Sequence, residues 1–440
     1  MTGGVPKSLP APPQLPDRTI LGIVAAYAVV FVLFGLLVDG PAAVLRGLIE
    51  IVTTRDALLT DYFGAGGMGA AFVNAGLLTL AAAFIYHKSA AKMSGAAVAC
   101  LFLVFGFGLF GKNLLNVWFI VLGVFLYSRF KGETFATHIN TAFFGTALAP
   151  IFSEIAFSTA LPFAIGLPLG AVTATVIGFI LAPAAAQLFK AHMGFSLYNM
   201  GFTAGIIGVL VVALYKSYGF VPDPVMIWTS GNNRLLGGFL AAVFLSMAVA
   251  GYLLDRNVIA RLLQIMREPG QAPSDYIALA GFGPVLLNMS LTGAIGMIYV
   301  LLVGGDLNGP VIGAIFTIVG FAAYGKHPRN IWPIMLGVFL GSIAKPWGAA
   351  DPSGLLAALF GTTLAPIAGR FGWHWGVVAG FVHSSAARSV GAIHGGLNLY
   401  NNGFAAGIVA SVLAAVIISV QAGRTKAQAA QQPKADNDEA

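Results

Sequence analysis

The sequence predicts an all-α, polytopic membrane protein of about twelve transmembrane helices, arranged as two repeated halves with short re-entrant segments. Three observations predict it. Charged residues make up only 9% of the chain and hydrophobic ones 58%, with a mean hydropathy of +0.86. A soluble domain carries about 25% charged residues, so this chain could not cover a water-exposed surface of its size. Apolar runs near membrane length recur throughout, and most of the first half is written again in the second.

Residues 1–18 are polar and Pro-rich and are expected to be disordered. The apolar run 19–38 is long for a signal-peptide core and lacks a small-x-small cleavage site, so it reads as an uncleaved first transmembrane helix. Further spans are expected near 65–86, 94–111, 114–130, 166–188 and 202–216. After a polar linker, 217–234, a second series follows near 236–254, 277–303, 308–324, 331–344, 371–387 and 403–421. Two shorter stretches, 137–151 and 353–368, read as re-entrant. Membrane repeats thus occupy 19–216 and 235–422, and a polar tail, 423–440, is expected to be disordered.

The halves correspond residue by residue. Asp61-Tyr62 matches Asp275-Tyr276, and Asn74 matches Asn288. Gly111-Lys112 with Asn116-x-Trp118 matches Gly325-Lys326 with Asn330-x-Trp332. Gly145-Thr146-x-Leu-Ala-Pro150 matches Gly361-Thr362-x-Leu-Ala-Pro366. The longest match pairs His192–Ile206 with His394–Ile408, in which ten of fifteen positions are identical. Lys and Arg fall in opposite loops of the two halves: His87, Lys88 and Lys92 in one, Arg256, Arg261 and Arg267 in another. This bias favours halves inverted in the membrane, which needs an odd number of crossings per half; a parallel repeat stays open.

A lipid-facing helix needs only apolar bulk, so retained polar residues ask for another reason. His192, Tyr198 and Asn199, with His394, Tyr400 and Asn401, are expected at broken helices near the membrane middle. There each Asn would cap the following helix, whose positive end would face a solute. The bland alternative is that these residues satisfy local backbone only. Thr146 and Thr362 sit in candidate pore loops or, equally, at Pro-kinked helix ends. Asn74 and Asn288 read as solute contacts or as helix-helix glue. Lys112 and Lys326 beside Trp-bearing spans read first as interfacial anchors, and second as groups that attract an anion. Arg388, facing Ala186 in the repeat, would give the path asymmetry if it lies at membrane depth with Asp351 or Glu154 as partner.

Other chemistries lack their signatures. Cys100 stands alone, and His374 and His383 do not have zinc-ligand spacing. Gly64–Gly69 precedes a span rather than following a strand, so it is no nucleotide loop. No cofactor or metal is expected. The formal charge of +7 needs no nucleic acid; membrane lipid, a small-molecule or ionic solute and a homo-oligomer are the expected partners.

The paired Gly-Lys-x-x-x-Asn-x-Trp, Gly-Thr-x-Leu-Ala-Pro and Leu-Tyr-Asn-x-Gly-Phe motifs resemble an uncharacterised bacterial membrane-protein family with an internal repeat, a domain of unknown function. Gly396-Leu-Asn-Leu-Tyr-Asn401 and Lys345-Pro-Trp347 faintly resemble urea transporters, which carry two inverted halves. Leu197 and Leu399 replace the glycine expected before the aromatic residue, and only fragments of the selectivity motif remain at Leu161-Pro-Phe163 and Leu167-Pro168. The resemblance implies an architecture and no substrate. The favoured expectation is a transporter or channel for a small polar or ionic solute in a bacterial inner membrane. The alternatives are an intramembrane enzyme acting on a lipid-type substrate and a non-transporting scaffold.

Overall fold

A computed structural model describes the backbone of residues 10–431 and the side chains through Ala422. The first half comprises α1 (Asp17–Asp39), α2 (Pro41–Thr53), α3 (Tyr62–Ala65), α4 (Met68–Lys88), α5 (Gly95–Phe107), α6 (Trp118–Phe130), α7 (Phe135–Gly145), α8 (Ala149–Ala156), α9 (Phe163–His192) and α10 (Asn199–Ser217). The second repeats it element for element: α11 (Asn233–Leu254), α12 (Val258–Ile265), α13 (Tyr276–Ala280), α14 (Phe282–Leu302), α15 (Gly309–Phe321), α16 (Pro328–Ile343), α17 (Pro352–Phe360), α18 (Ala365–Phe371), α19 (Trp373–Ser389) and α20 (Asn401–Gln431). Among the described residues nine helices are long and apolar enough to cross a membrane. Exposed Leu33, Phe84, Val172, Leu210, Leu245 and Leu302 form an apolar exterior, the surface that acyl chains cover.

Adjacent helices fix the path of the chain. α1 and α4 run antiparallel and close: a Cβ on Gly35 would lie 2.4 Å from the Gly69 carbonyl, and one on Gly76 2.6 Å from that of Ala28. α5 starts at the face where α1 starts, since the Met93 N–H donates to Asp17 at 3.1 Å. Its 13 residues reach only about 20 Å, short of the ~30 Å hydrocarbon core. The chain then turns back. Phe119, near the start of α6, stacks on Phe152 of α8, and Phe125 meets Phe135 at the start of α7. α5 and α6 are therefore a re-entrant hairpin, and so by equivalence are α15 and α16. The crossings of the first half are α1, α4, the α7–α8 pair, α9 and α10, and their equivalents cross in the second.

This sorts the segments differently from the sequence reading. The runs 94–111 with 114–130, and 308–324 with 331–344, pair into hairpins. The stretches 137–151 and 353–368, read as re-entrant, belong to crossings Phe135–Ala156 and Pro352–Phe371. Each crossing holds a 3₁₀ turn, Thr146–Leu148 or Gly361–Leu364, before its Pro. Apolarity alone cannot separate a 13-residue half-helix from a crossing, because both are buried in other helices.

Equivalent helices α5 and α15 pack antiparallel at the centre. Gly95 lies against Ala323, Gly106 against Gly313, and Gly320 against Ala99. Rotation about the membrane normal preserves helix direction, so the repeat axis lies in the membrane plane and the halves are inverted. The halves are laced together. Asp61 caps α3 through the Phe63 N–H at 3.0 Å and also accepts from Gly309 N–H, the first residue of α15, at 3.2 Å. Asp275 caps α13 through Ile277 and Ala278 and accepts from Gly95 N–H, the first residue of α5, at 3.1 Å. A carboxylate at a helix N-terminus meets its unpaired N–H groups and its dipole.

Two terminal expectations change. Residues 10–16 are tied down, not free: Arg261 donates to the Pro10 carbonyl at 2.9 Å and the Ala11 carbonyl at 3.3 Å. α20 continues through the expected tail to Gln431, because Ala and Gln prolong a helix at little cost. The expectations for 1–9 and 432–440 lie outside the described residues.

Candidate functional site: two lysine–tyrosine pairs between the halves

The two hairpin tips are built alike. Gly111 (φ 75) and Gly325 (φ 130) adopt positive φ, which L side chains resist. The next N–H, on Lys112 or Lys326, donates back to Phe107 or Phe321. Asn116 then staples the tip, donating to the Gly111 carbonyl at 3.1 Å and accepting from Asn113 N–H at 2.9 Å. Asn330 does the same with Gly325 and His327. Asn74 of α4 donates to the carbonyls of Gly108 (2.6 Å) and Lys112 (2.9 Å) and accepts from Leu114 N–H at 3.2 Å. Asn288 of α14 donates to those of Ala322 and Lys326, both at 2.8 Å. Asn74 and Asn288 thus hold the tips from behind.

What the tips present is a lysine. Lys112 and Lys326 are both 0% exposed, so the interfacial-anchor reading fails for both: an anchor needs its ammonium in water. Each reaches across to the other half. Lys112 Nζ donates to Tyr400 Oη at 2.5 Å, and Lys326 Nζ to Tyr198 Oη at 2.5 Å and Thr362 Oγ1 at 2.8 Å. Each Nζ also sits near aromatic faces, Lys112 at 4.8 Å from the Tyr400 centroid and Lys326 at 4.5 Å from that of Tyr198, the geometry of a cation–π contact. Neither lysine forms an ion pair among the described residues.

The tyrosines are positioned by the other half as well. The Leu197 N–H donates to the Thr363 carbonyl in the 3₁₀ turn of α17–α18, and the Leu399 N–H to the Ala147 carbonyl in that of α7–α8. Leu399 packs on Gly111 and Leu197 on Gly325, which accounts for the leucines before each Tyr. Thr146 and Thr362 bond back to Phe143 and Leu359 within those turns; only Thr362 also meets a lysine.

The His and Asn residues work within their own half. His192 Nε2 lies 3.0 Å from Asn199 Oδ1, whose amide donates to the Ala185 carbonyl. His394 Nε2 lies 2.9 Å from Asn401 Oδ1, whose amide donates to the Ala387 carbonyl. Asn199 and Asn401 are the first residues of α10 and α20 and do not cap them as expected, because their oxygens are taken by the imidazoles. They bolt each helix start to the helix before it. α10 and α20 cross at Gly201 and Gly403, where a Cβ on Gly201 would lie 2.9 Å from the Gly403 Cα.

Two cavities approach this centre. One, of about 330 Å³, begins among Ala96, Thr137 and Ala272 at the face where α1 starts, and ends on Tyr198, Asn199 and Tyr400. The other, of about 220 Å³, begins among Leu58, Ser353 and Arg388 at the opposite face and ends on Asn401 and Asn402. They are equivalents under the repeat: Ala185 and Asn199 line the first where Ala387 and Asn401 line the second. Arg388 stands at the mouth of the second cavity, donating to Ser353, with Asp351 at 3.9 Å and Trp347 under its guanidinium. Glu154 is not its partner; it accepts from Asp223 N–H at 2.7 Å.

A buried group that the sequence reading missed is Asp56, which accepts from Tyr62 (2.7 Å), Asn116 (2.8 Å), Ser153 (2.7 Å) and Asn113 (3.2 Å). Its repeat equivalent is Gly270, which has no room for a side chain; that mismatch was the available signal. Among the described residues no cluster of His, Cys, Asp and Glu could hold a metal.

An apolar exterior, inverted halves and a buried polar centre where they meet define a multi-pass, all-α membrane protein built on an internal repeat. The chain belongs to the family described as "Protein of unknown function (DUF1576)", whose model matches residues 41–217 and again 254–419. No curated protein and no solved structure matches the chain.

Proposed function

We propose that the protein moves a small polar or ionic solute across a membrane, as a transporter or channel, along a path between its inverted halves. The observation that carries this reading is the pair of equivalent cavities, which approach from opposite faces and end on neighbouring residues, Tyr400 and Asn401. A scaffold has no use for two blind cavities aimed at one buried polar centre. On this reading Tyr198, Asn199, Tyr400, Asn401 and Arg388 meet the solute. His192 and His394 hold Asn199 and Asn401, Asn74 and Asn288 hold the hairpin tips, Thr362 reaches Tyr198 through Lys326, and Thr146 bonds within its own crossing. The closed stretch between the cavities opens when one half rocks against the other. The faint likeness to urea transporters enters as architecture only.

The membrane we propose is a bacterial inner membrane. Arg18, Lys88, Lys92, Arg129, Lys131 and Lys190, with Arg256, Arg261, Arg267, Arg329 and Arg370 of the second half, belong to the face where α1 starts. Arg46, Arg55, Lys216, Arg234, Lys345 and Arg388 belong to the other. By the excess of cations, the first face is cytoplasmic.

Narrowing tests the path. Ala185→Trp fills the first cavity and Ala387→Trp the second. In proteoliposomes the protein should speed the release of at least one solute from a broad panel, and either Trp should block it, since the cavities lie in series. Absence of flux for every solute, or indifference to both substitutions, sinks the reading.

A further inference from the structure

We infer that the solute is a small anion, recognised by the two tyrosine hydroxyls that Lys112 and Lys326 back from behind; this rests on the transport reading above. Four observations converge on it. First, the two lysine amines are buried with only neutral partners: hydroxyls and aromatic faces. A charge in the membrane interior is expensive and calls for a counter-charge, and no ion pair supplies one to either lysine among the described residues.

Second, the direction of the hydrogen bonds favours an anion. An ammonium has only donors. The phenol oxygens of Tyr198 and Tyr400 accept from the lysine Nζ atoms, and each phenol keeps its own hydrogen to donate. A hydroxyl whose oxygen accepts from an ammonium is polarised into a stronger donor. Both tyrosines line the first cavity, so a solute held there meets them.

Third, among the described residues no carboxylate lines either cavity, while Arg388, with Asp351 at 3.9 Å, stands at the mouth of the second. A path for cations would be lined by carboxylates or carbonyls. Fourth, the arrangement occurs twice under the inverted repeat, each half supplying a lysine to the other's tyrosine. Two equivalent stations, neither carrying a full counter-ion of its own, suit passage: binding strong enough to admit an ion and weak enough to release it. The first cavity, about 330 Å³, has room for small anions such as halides, nitrate or formate.

The test uses the full chain in liposomes, with shrinkage or swelling followed on chloride, nitrate and formate, on urea and glycerol, and on potassium and ammonium. The variants are Lys112→Met and Lys326→Met, which remove a buried amine at similar length. Tyr198→Phe and Tyr400→Phe keep the ring and delete the hydroxyl, and serve if the Met variants do not elute as folded protein. The expected result is anion flux that falls about tenfold or more in each variant, the factor for losing one charge-assisted hydrogen bond. Flux of urea, glycerol or cations without anion flux overturns the anion and leaves the path standing. Anion flux unchanged in the variants overturns the lysine–tyrosine assignment. Flux of nothing overturns the path itself.

Discussion

Asn74 and Asn288 sit at equivalent places, yet the structure gives them unequal work. Asn74 makes three buried hydrogen bonds to the first hairpin tip. Asn288 makes two to the second, and its Oδ1 has no partner. A Leu at either position keeps the bulk and loses the bonds, leaving tip carbonyls unpaired in an apolar interior. A buried bond lost this way costs about 1–3 kcal/mol, and side-chain bonds between membrane helices average about 0.6 kcal/mol. At about 1 kcal/mol per bond, Asn74→Leu costs about 3 kcal/mol and Asn288→Leu about 2 kcal/mol. The assay is unfolding in mixed micelles by titration of a denaturing detergent, followed by tryptophan fluorescence. Asn74→Leu should unfold at the lower detergent fraction, and both below the parent. Equal midpoints, or a lower one for Asn288→Leu, would refute the claim that these residues are tip clamps whose bonds add. Lys112 and Lys326 ride on these tips, so flux should fall in the same order as stability.

The other predictions follow from close packing and topology. Gly106→Val drives a Cβ to 2.6 Å from the Gly313 carbonyl, and overpacking of this kind costs about 1–3 kcal/mol or more; the variant should elute as aggregate where Gly22→Val, with open space around it, elutes normally. Asp61→Ala and Asp275→Ala each remove a cap from two helices, one in each half, and should each cost about 1–2 kcal/mol in the same unfolding assay; a loss within error of the parent would rule out the lacing. In a Cys100→Ala background, single cysteines at Lys131 and Lys92 should react with an impermeant thiol reagent from one face, and a cysteine at Tyr218 from the other. Labelling of positions 92 and 131 from opposite faces would show that α5 and α6 cross instead of forming a hairpin.

What the sequence held was a list of duplicated polar residues in an apolar chain. Sparse charge and recurring apolar runs fix the class, since no water-exposed surface can be made from them. The retained Gly-Lys-x-x-x-Asn, Gly-Thr-x-Leu-Ala-Pro and Tyr-Asn motifs mark the hairpin tips, the 3₁₀ turns and the helix starts that meet at the centre. Which of those residues face one another was decided only by the fold. Lys112 lies 288 positions from Tyr400 and Lys326 128 positions from Tyr198, and nothing local joins them. The pairing exists because inverted halves carry each tip across the pseudo-twofold axis to the other half's helix start. Hairpins and crossings were likewise indistinct by apolarity, because both are buried; helix length and direction separate them, and those are tertiary facts. Residue type said which groups are costly to bury, and the inverted packing of α5 on α15 chose which of them share one interior.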